Sequence, residues 1–160
     1  MDNRTIANKL VVDLGNTLTV PEMALNEQNY AALLFDNSIL LNIEYDDMQE
    51  RMLLYIYLGE LPPQGAEPLL RQLLAANFFW YRTQGATLSL EEETNGILLS
   101  YAHQLQDLDS VTFEDICNNF VLKAEEWKKI LSTSIKNIKT ADGSVATEPE
   151  SPLPSSVQFV

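Results

Sequence analysis

Residues 69–101, LLRQLLAANFFWYRTQGATLSLEEETNGILLSY, change period part-way along, and that change decides the fold. Leu69, Leu70, Leu73, Leu74, Ala76, Phe78, Phe79 and Trp80 are spaced for a helix, and their apolar side chains cover nearly its whole circumference instead of one stripe. Such a helix needs two partners. One is its own sheet; the other, in a chain long enough for a single domain, is a second copy. The period then drops from 3.6 to 2. Leu88 and Leu90, the polar run 91–95, then Ile97, Leu99 and Tyr101 after Gly96 predict a hairpin with an Asn-Gly turn.

Upstream, Asp2 and Asn3 are N-cap residues for a first helix with Ile6, Leu10, Val11 and Leu14 on one stripe, closed by Gly15 and Asn16. Three alternating runs follow at 30–35, 39–44 and 52–58, bounded by turn residues, and predict an antiparallel meander. Leu33, Phe35, Ile39, Leu41, Ile43, Leu54, Ile56 and Leu58 are numerous enough that both faces of this sheet must meet something: helices on one, a ligand chain on the other. The break 59–65 precedes the second helix, with Pro68 in its first turn. Downstream, Asp109 or Ser110 caps a long helix over 112–138. Its stripe is Phe113, Ile116, Cys117, Phe120, Ala124, Trp127, Leu131, Ile135 and Ile138. The predicted class is α+β: helix, three antiparallel strands, helix, two-strand hairpin and long C-terminal helix, with the helices packed on a twisted, mainly antiparallel sheet. Residues 1–139 form this domain; residues 140–160, rich in Pro, Ser and Glu and without a period, form a disordered acidic tail. Its last four residues, Val157, Gln158, Phe159 and Val160, are an apolar end that suits a docking peptide or a frayed terminus.

The net charge of −13 is unevenly spread: residues 20–117 carry three basic and sixteen acidic side chains, whereas residues 118–139 carry five Lys against Glu125 and Glu126. An acidic middle repels phosphate backbones and anionic lipid, which predicts no nucleic-acid and no membrane partner. Lys128, Lys129, Lys136 and Lys139 complement the negative end of the last helix dipole. The single Cys117 has no intrachain partner and suits a reducing compartment. No run reaches the length of a membrane span, and MDNRTIANKL lacks the plan of a signal peptide, so the expectation is a soluble cytoplasmic protein.

Catalytic chemistry finds little support. With one His103 and one Cys117 no zinc set or catalytic triad can be assembled. Asp46 and Asp47 sit in a turn without further ligands, and Glu91, Glu92 and Glu93 sit on a hairpin, where carboxylates are solvated. Residues 12–17, VDLGNT, resemble the Asp-x-Gly-x-Thr phosphate loop of the actin and sugar-kinase superfamily. That loop needs a strand ahead of the Asp and a second domain, whereas residues 5–12 have helical spacing and the chain is short; a helix end explains them better. The expectation is a binding protein without catalytic residues, cofactor or metal.

The order of elements, together with LLAANFFWYRTQGATLSLEEETNGILLSY and FEDICNNFVLKAEEWKKIL, closely resembles the small acidic class I chaperones of bacterial type III secretion, the Tir-chaperone (CesT-like) family. The matching positions are Leu73, Leu74, Ala76, Asn77 and Trp80 on the helix, Gly85, Leu88 and Gly96 in the hairpin, and Phe120, Ala124, Glu125, Trp127 and Leu131 on the last helix. The resemblance covers roughly residues 4–132 and leaves out the tail. It implies a homodimer built around the second helix, no enzymatic step, and an extended segment of a secreted effector held in apolar grooves. By that analogy Ile6, Leu10, Val11, Leu33, Phe35 and Leu41 face the effector, and Leu69, Leu70, Leu73, Phe78 and Trp80 form the dimer interface. A regulatory branch of the same fold would instead sequester a small secreted inhibitor of transcriptional activation.

Overall fold

The computed structural model describes residues 1–141 and 157–159. Helix α1 (Asn3–Thr17) starts on Asp2, whose carboxylate accepts from the Thr5 amide at 2.9 Å. It ends in a Schellman motif: the Val20 amide donates to Gly15 O at 2.8 Å and the Thr19 amide to Asn16 O at 3.2 Å, with Thr19 left-handed at φ 58°. Gly15 therefore does not cap the helix, as its type suggests, but lies inside it. A Cβ there would sit 2.5 Å from Met23 Cβ, so the glycine admits the segment 18–29 onto the helix. Val20, Met23 and Leu25 of that segment are buried, and the Leu25 amide donates to Asn8 Oδ1 at 2.9 Å.

Strands β1 (Tyr30–Phe35), β2 (Ile39–Asp46) and β3 (Arg51–Glu60) form the expected meander; β2 runs two residues further than alternation alone predicts, and β3 starts one residue earlier and ends two later. Helix α2 (Glu67–Ala76) leads to the hairpin of β4 (Thr87–Glu91) and β5 (Gly96–Gln104), and helix α3 (Ser110–Ala141) crosses the sheet. Asp109 caps α3, accepting from the Thr112 amide at 2.7 Å. A short strand β6 (Val157–Phe159) completes an antiparallel sheet of order β4-β5-β3-β2-β1-β6. The tail expected at 140–160 thus differs at both ends: Thr140 and Ala141 continue α3, and Val157–Phe159 pair with β1, where the apolar terminus finds backbone partners. Residues 142–156 of that expectation lie outside the described residues.

The core lies between the helices and one face of the sheet. Leu33, Ile39, Leu41, Ile43, Met52, Leu54, Ile56, Ile97 and Leu99 meet Leu10, Val11 and Leu14 of α1 and Phe113, Cys117, Phe120, Trp127 and Leu131 of α3, all buried. Burial pushes the Cys117 thiol far up, with Glu114 adding to the shift, so it stays protonated as a small apolar side chain.

Candidate functional site

Helix α2 is shorter than its apolar spacing predicts. After Ala76 the chain turns through Phe78–Trp80, with Phe79 at φ 49° and Trp80 at φ 55°. Asn77 makes the turn possible: its Nδ2 donates to Leu88 O at 2.8 Å and its Oδ1 accepts from the Leu88 amide at 2.8 Å. One side chain thereby replaces a strand partner for β4 and ties the helix end to the hairpin. The aromatic residues cannot follow the helix into the core. Leu74 is 71% exposed, Phe78 68%, Phe79 64% and Tyr81 81%. Phe78 and Phe79 stack edge to face at 4.4 Å, and Trp80 Nε1 donates to Thr87 Oγ1 at 3.2 Å.

Beside this corner the sheet's outer face forms a depression of about 530 Å³ lined by Arg51, Leu53, Tyr55, Trp80, Leu98 and Ser100 among others. Across the ladder from Tyr55, Asn42 is buried and engaged: Oδ1 accepts from the Tyr30 hydroxyl at 2.7 Å, and Nδ2 donates to Tyr55 O at 3.0 Å. Burial raises the Tyr30 and Tyr55 phenols above their ordinary value, so both face this surface uncharged. The outer face is therefore mixed aromatic and aliphatic, as a protein contact requires.

The residues expected to face a ligand chain divide by depth. Ile6 and Phe35 are partly buried and reach the surface, Ile6 lining a cavity of about 260 Å³ with Asn3, Glu50, Gln104, Leu105, Gln106 and Leu108. Leu10, Val11, Leu33 and Leu41 do not reach it: they are 4% exposed or less and belong to the core under α1. Amphipathic spacing marks an inward face without saying whether chain or ligand covers it. The positions expected at the dimer divide likewise. Leu69 and Leu73 are core, Leu70 is half-buried, and Phe78 and Trp80 are exposed. Tyr81, Leu53 and Tyr55 complete the surface and were not singled out by sequence; the alternation 53-55-57 on β3 carried the signal.

The supposed phosphate loop takes another form. Residues 13–17 are helical, and the Asp13 carboxylate accepts from Lys9 and from the Ser110 hydroxyl, which hold it below its ordinary range and join α1 to the start of α3. Among the described residues no group of three or more His, Cys, Asp or Glu could hold a metal ion, and no helix is long and apolar enough to cross a membrane.

The sequence profile of the Tir chaperone protein (CesT) family matches residues 9–128. The chain belongs to this family. Its similarity extends to the transcriptional anti-antiactivator ExsC of Pseudomonas aeruginosa, 27% identical over 131 residues that span 82% of this chain and 89% of that protein. The crystal structure of an ExsC–ExsE complex superposes with a TM-score of 0.72 at 26% identity, covering 82% of this chain and 97% of that one. The SchA chaperone–effector complex with HopA1 superposes at 0.66 and 18% identity, covering 81% and 98%, a likeness of fold. Membership thus fixes the α+β chaperone architecture and makes this a type III secretion chaperone family member.

Proposed function

We propose that this CesT-family chain works in the bacterial cytoplasm as a homodimeric type III secretion chaperone, holding an extended N-terminal segment of a secreted effector so that it stays soluble and unfolded for export. The observation that carries the proposal is surface that one chain leaves uncovered: Leu74, Phe78, Phe79, Trp80 and Tyr81 lie open on an otherwise acidic molecule. A second copy covers this corner and the adjoining outer face of β3 and β5. The segment from the secreted protein lies along the α1 side, where Ile6 and Phe35 present apolar surface and backbone pairing along β1 supplies affinity without demanding one sequence. Such work requires holding and release, with no catalytic residue, cofactor or metal.

A second reading has its own support. The relative at 27% identity is named for transcriptional control, whereas the effector complex of the same fold stands at 18%. In that reading the bound protein is a small secreted regulator whose sequestration frees a transcriptional activator.

Affinity capture of the tagged chain from its secreting host tests both. Recovery of a secreted protein in stoichiometric amount, lost on Ile6→Asp with Phe35→Asp while the dimer persists, is the expected result. A large effector favours the first reading and a small regulator the second. A dimer that retains no secreted protein under inducing conditions overturns both.

A further inference from the structure

Strand β6 lies on the outer side of β1, with Phe159 opposite Leu33, Gln158 opposite Leu34 and Val157 opposite Phe35. Without it β1 would be the open edge of the sheet, a row of unpaired backbone donors and acceptors able to take up an extended chain. We infer that the C-terminal segment is an internal competitor: it occupies the β1 edge in the absence of cargo and must be displaced by the strand that a secreted protein adds there. The inference rests on the chaperone reading for the identity of the displacing strand, and on the structure for the contact itself.

The chemistry of the segment fits the role. Three residues of pairing make a weak strand, and Phe159 remains 42% exposed, so the contact stays replaceable. The segment is nevertheless covalently attached to the domain it pairs with, and a site joined to its ligand by a short tether sees it at an effective concentration on the order of millimolar. A cargo strand therefore has to exceed a threshold set by the tail, and short apolar stretches of unrelated proteins fall below it. The same pairing covers an edge that would otherwise invite aggregation.

The test uses the full chain with Val157→Pro, Gln158→Pro and Phe159→Pro together. These remove every ladder donor of β6 and replace no residue of the buried core. Phe159→Asp serves as a milder second variant. Amide hydrogen exchange by NMR reads the β1 amides that face away from β2, and a synthetic peptide of residues 155–160 is titrated into each protein as a free strand. The expected result is faster exchange at those amides alone in the triple variant, and peptide saturation at about one-tenth the concentration or less that the unmodified chain requires. Equal exchange in the two proteins overturns the inference, as does protection of β1 that disappears on dilution, which would place a neighbour's tail on the edge. Capture of secreted cargo by both proteins with no difference in exchange removes the tail contact and leaves the chaperone reading standing. Altered exchange with no cargo retained by either protein does the reverse.

Discussion

Asp109 shows how a single carboxylate enters the energetics of a whole element. It accepts from the Thr112 amide at the start of α3, and that bond, reinforced by the Thr112 hydroxyl, holds its carboxyl below the usual range. Because the folded state prefers the charged form more than the unfolded chain does, the contribution is complete above the ordinary carboxylate pKa of about 3.9 and is lost as pH falls through the lower folded value. Asp2 behaves alike at the start of α1, through the amide and hydroxyl of Thr5. Asp109→Asn keeps a good cap and removes the titration. It should match the parent near pH 7 and lose less stability on acidification, whereas Asp109→Ala should be weaker at neutral pH and approach the parent below pH 4. Urea unfolding at a series of pH values reads both. Parallel acid limbs for parent and Asn variant would mean that the cap carboxylate does not govern this part of the profile. Asp109 was legible with Ser110 as one of two cap candidates because an acceptor before an apolar helical run has one use, and the bond to the Thr112 amide decides between them. Gly15 was not, because the glycine that ends a helix and the glycine that lets another segment approach look alike in sequence; only Met23 beside it tells them apart.

At the scale of elements, alternation located all five strands of the meander and hairpin, and period located three helices, since each buries one face against a common core. What spacing could not show is that α2 stops at Ala76. Phe78, Phe79 and Trp80 continue a helical pattern in sequence, yet Asn77 turns them out of it by bonding to Leu88, a contact eleven residues away. Two aromatic residues in succession then adopt left-handed backbone, at a cost of about 1–2 kcal/mol each. Within one chain the Phe78–Phe79 stack and the Trp80–Thr87 bond return part of that cost while the side chains stay exposed; in the proposed dimer a covering partner offsets the rest. Phe79→Gly should therefore act in opposite directions on two measurements. At dilute, monomeric concentrations it should raise the unfolding free energy by about 1 kcal/mol by relieving the backbone. At dimeric concentrations it should weaken association by about 1–2 kcal/mol, through a lost aromatic anchor. Chemical unfolding at low concentration and sedimentation equilibrium separate the two. A Gly variant that associates as tightly as the parent would take Phe79 out of the interface.

For the whole molecule, charge and uncovered apolar surface have to be weighed together. The chain carries −13, concentrated in residues 20–117 where the strands and the aromatic corner also lie, so bringing two copies together opposes like fields while burying Leu74 and residues 78–81. The sequence could supply both quantities, but not their arrangement: acidic groups such as Asp47, Glu50, Glu92 and Glu93 lie in turns of the sheet, and Leu74 and residues 78–81 lie exposed at the end of α2. The half-buried Lys128 shows that the basic excess of α3 is spent partly inside the chain, its ammonium donating to Ser38 O at the β1–β2 turn instead of neutralising the acidic surface. In the proposed dimer, association is driven by apolar contact against a long-range repulsion that salt removes. Raising ionic strength from 0.01 to 0.15 M shortens the screening length from about 30 Å to about 8 Å. The proposed homodimer should accordingly tighten severalfold over that range, most of the gain coming from faster encounter. Interfaces built on ion pairs respond in the opposite sense. Sedimentation equilibrium across the salt series measures the dissociation constant directly, and a dimer that loosens with added salt would show that charged pairs, and not the aromatic corner, hold the two copies together.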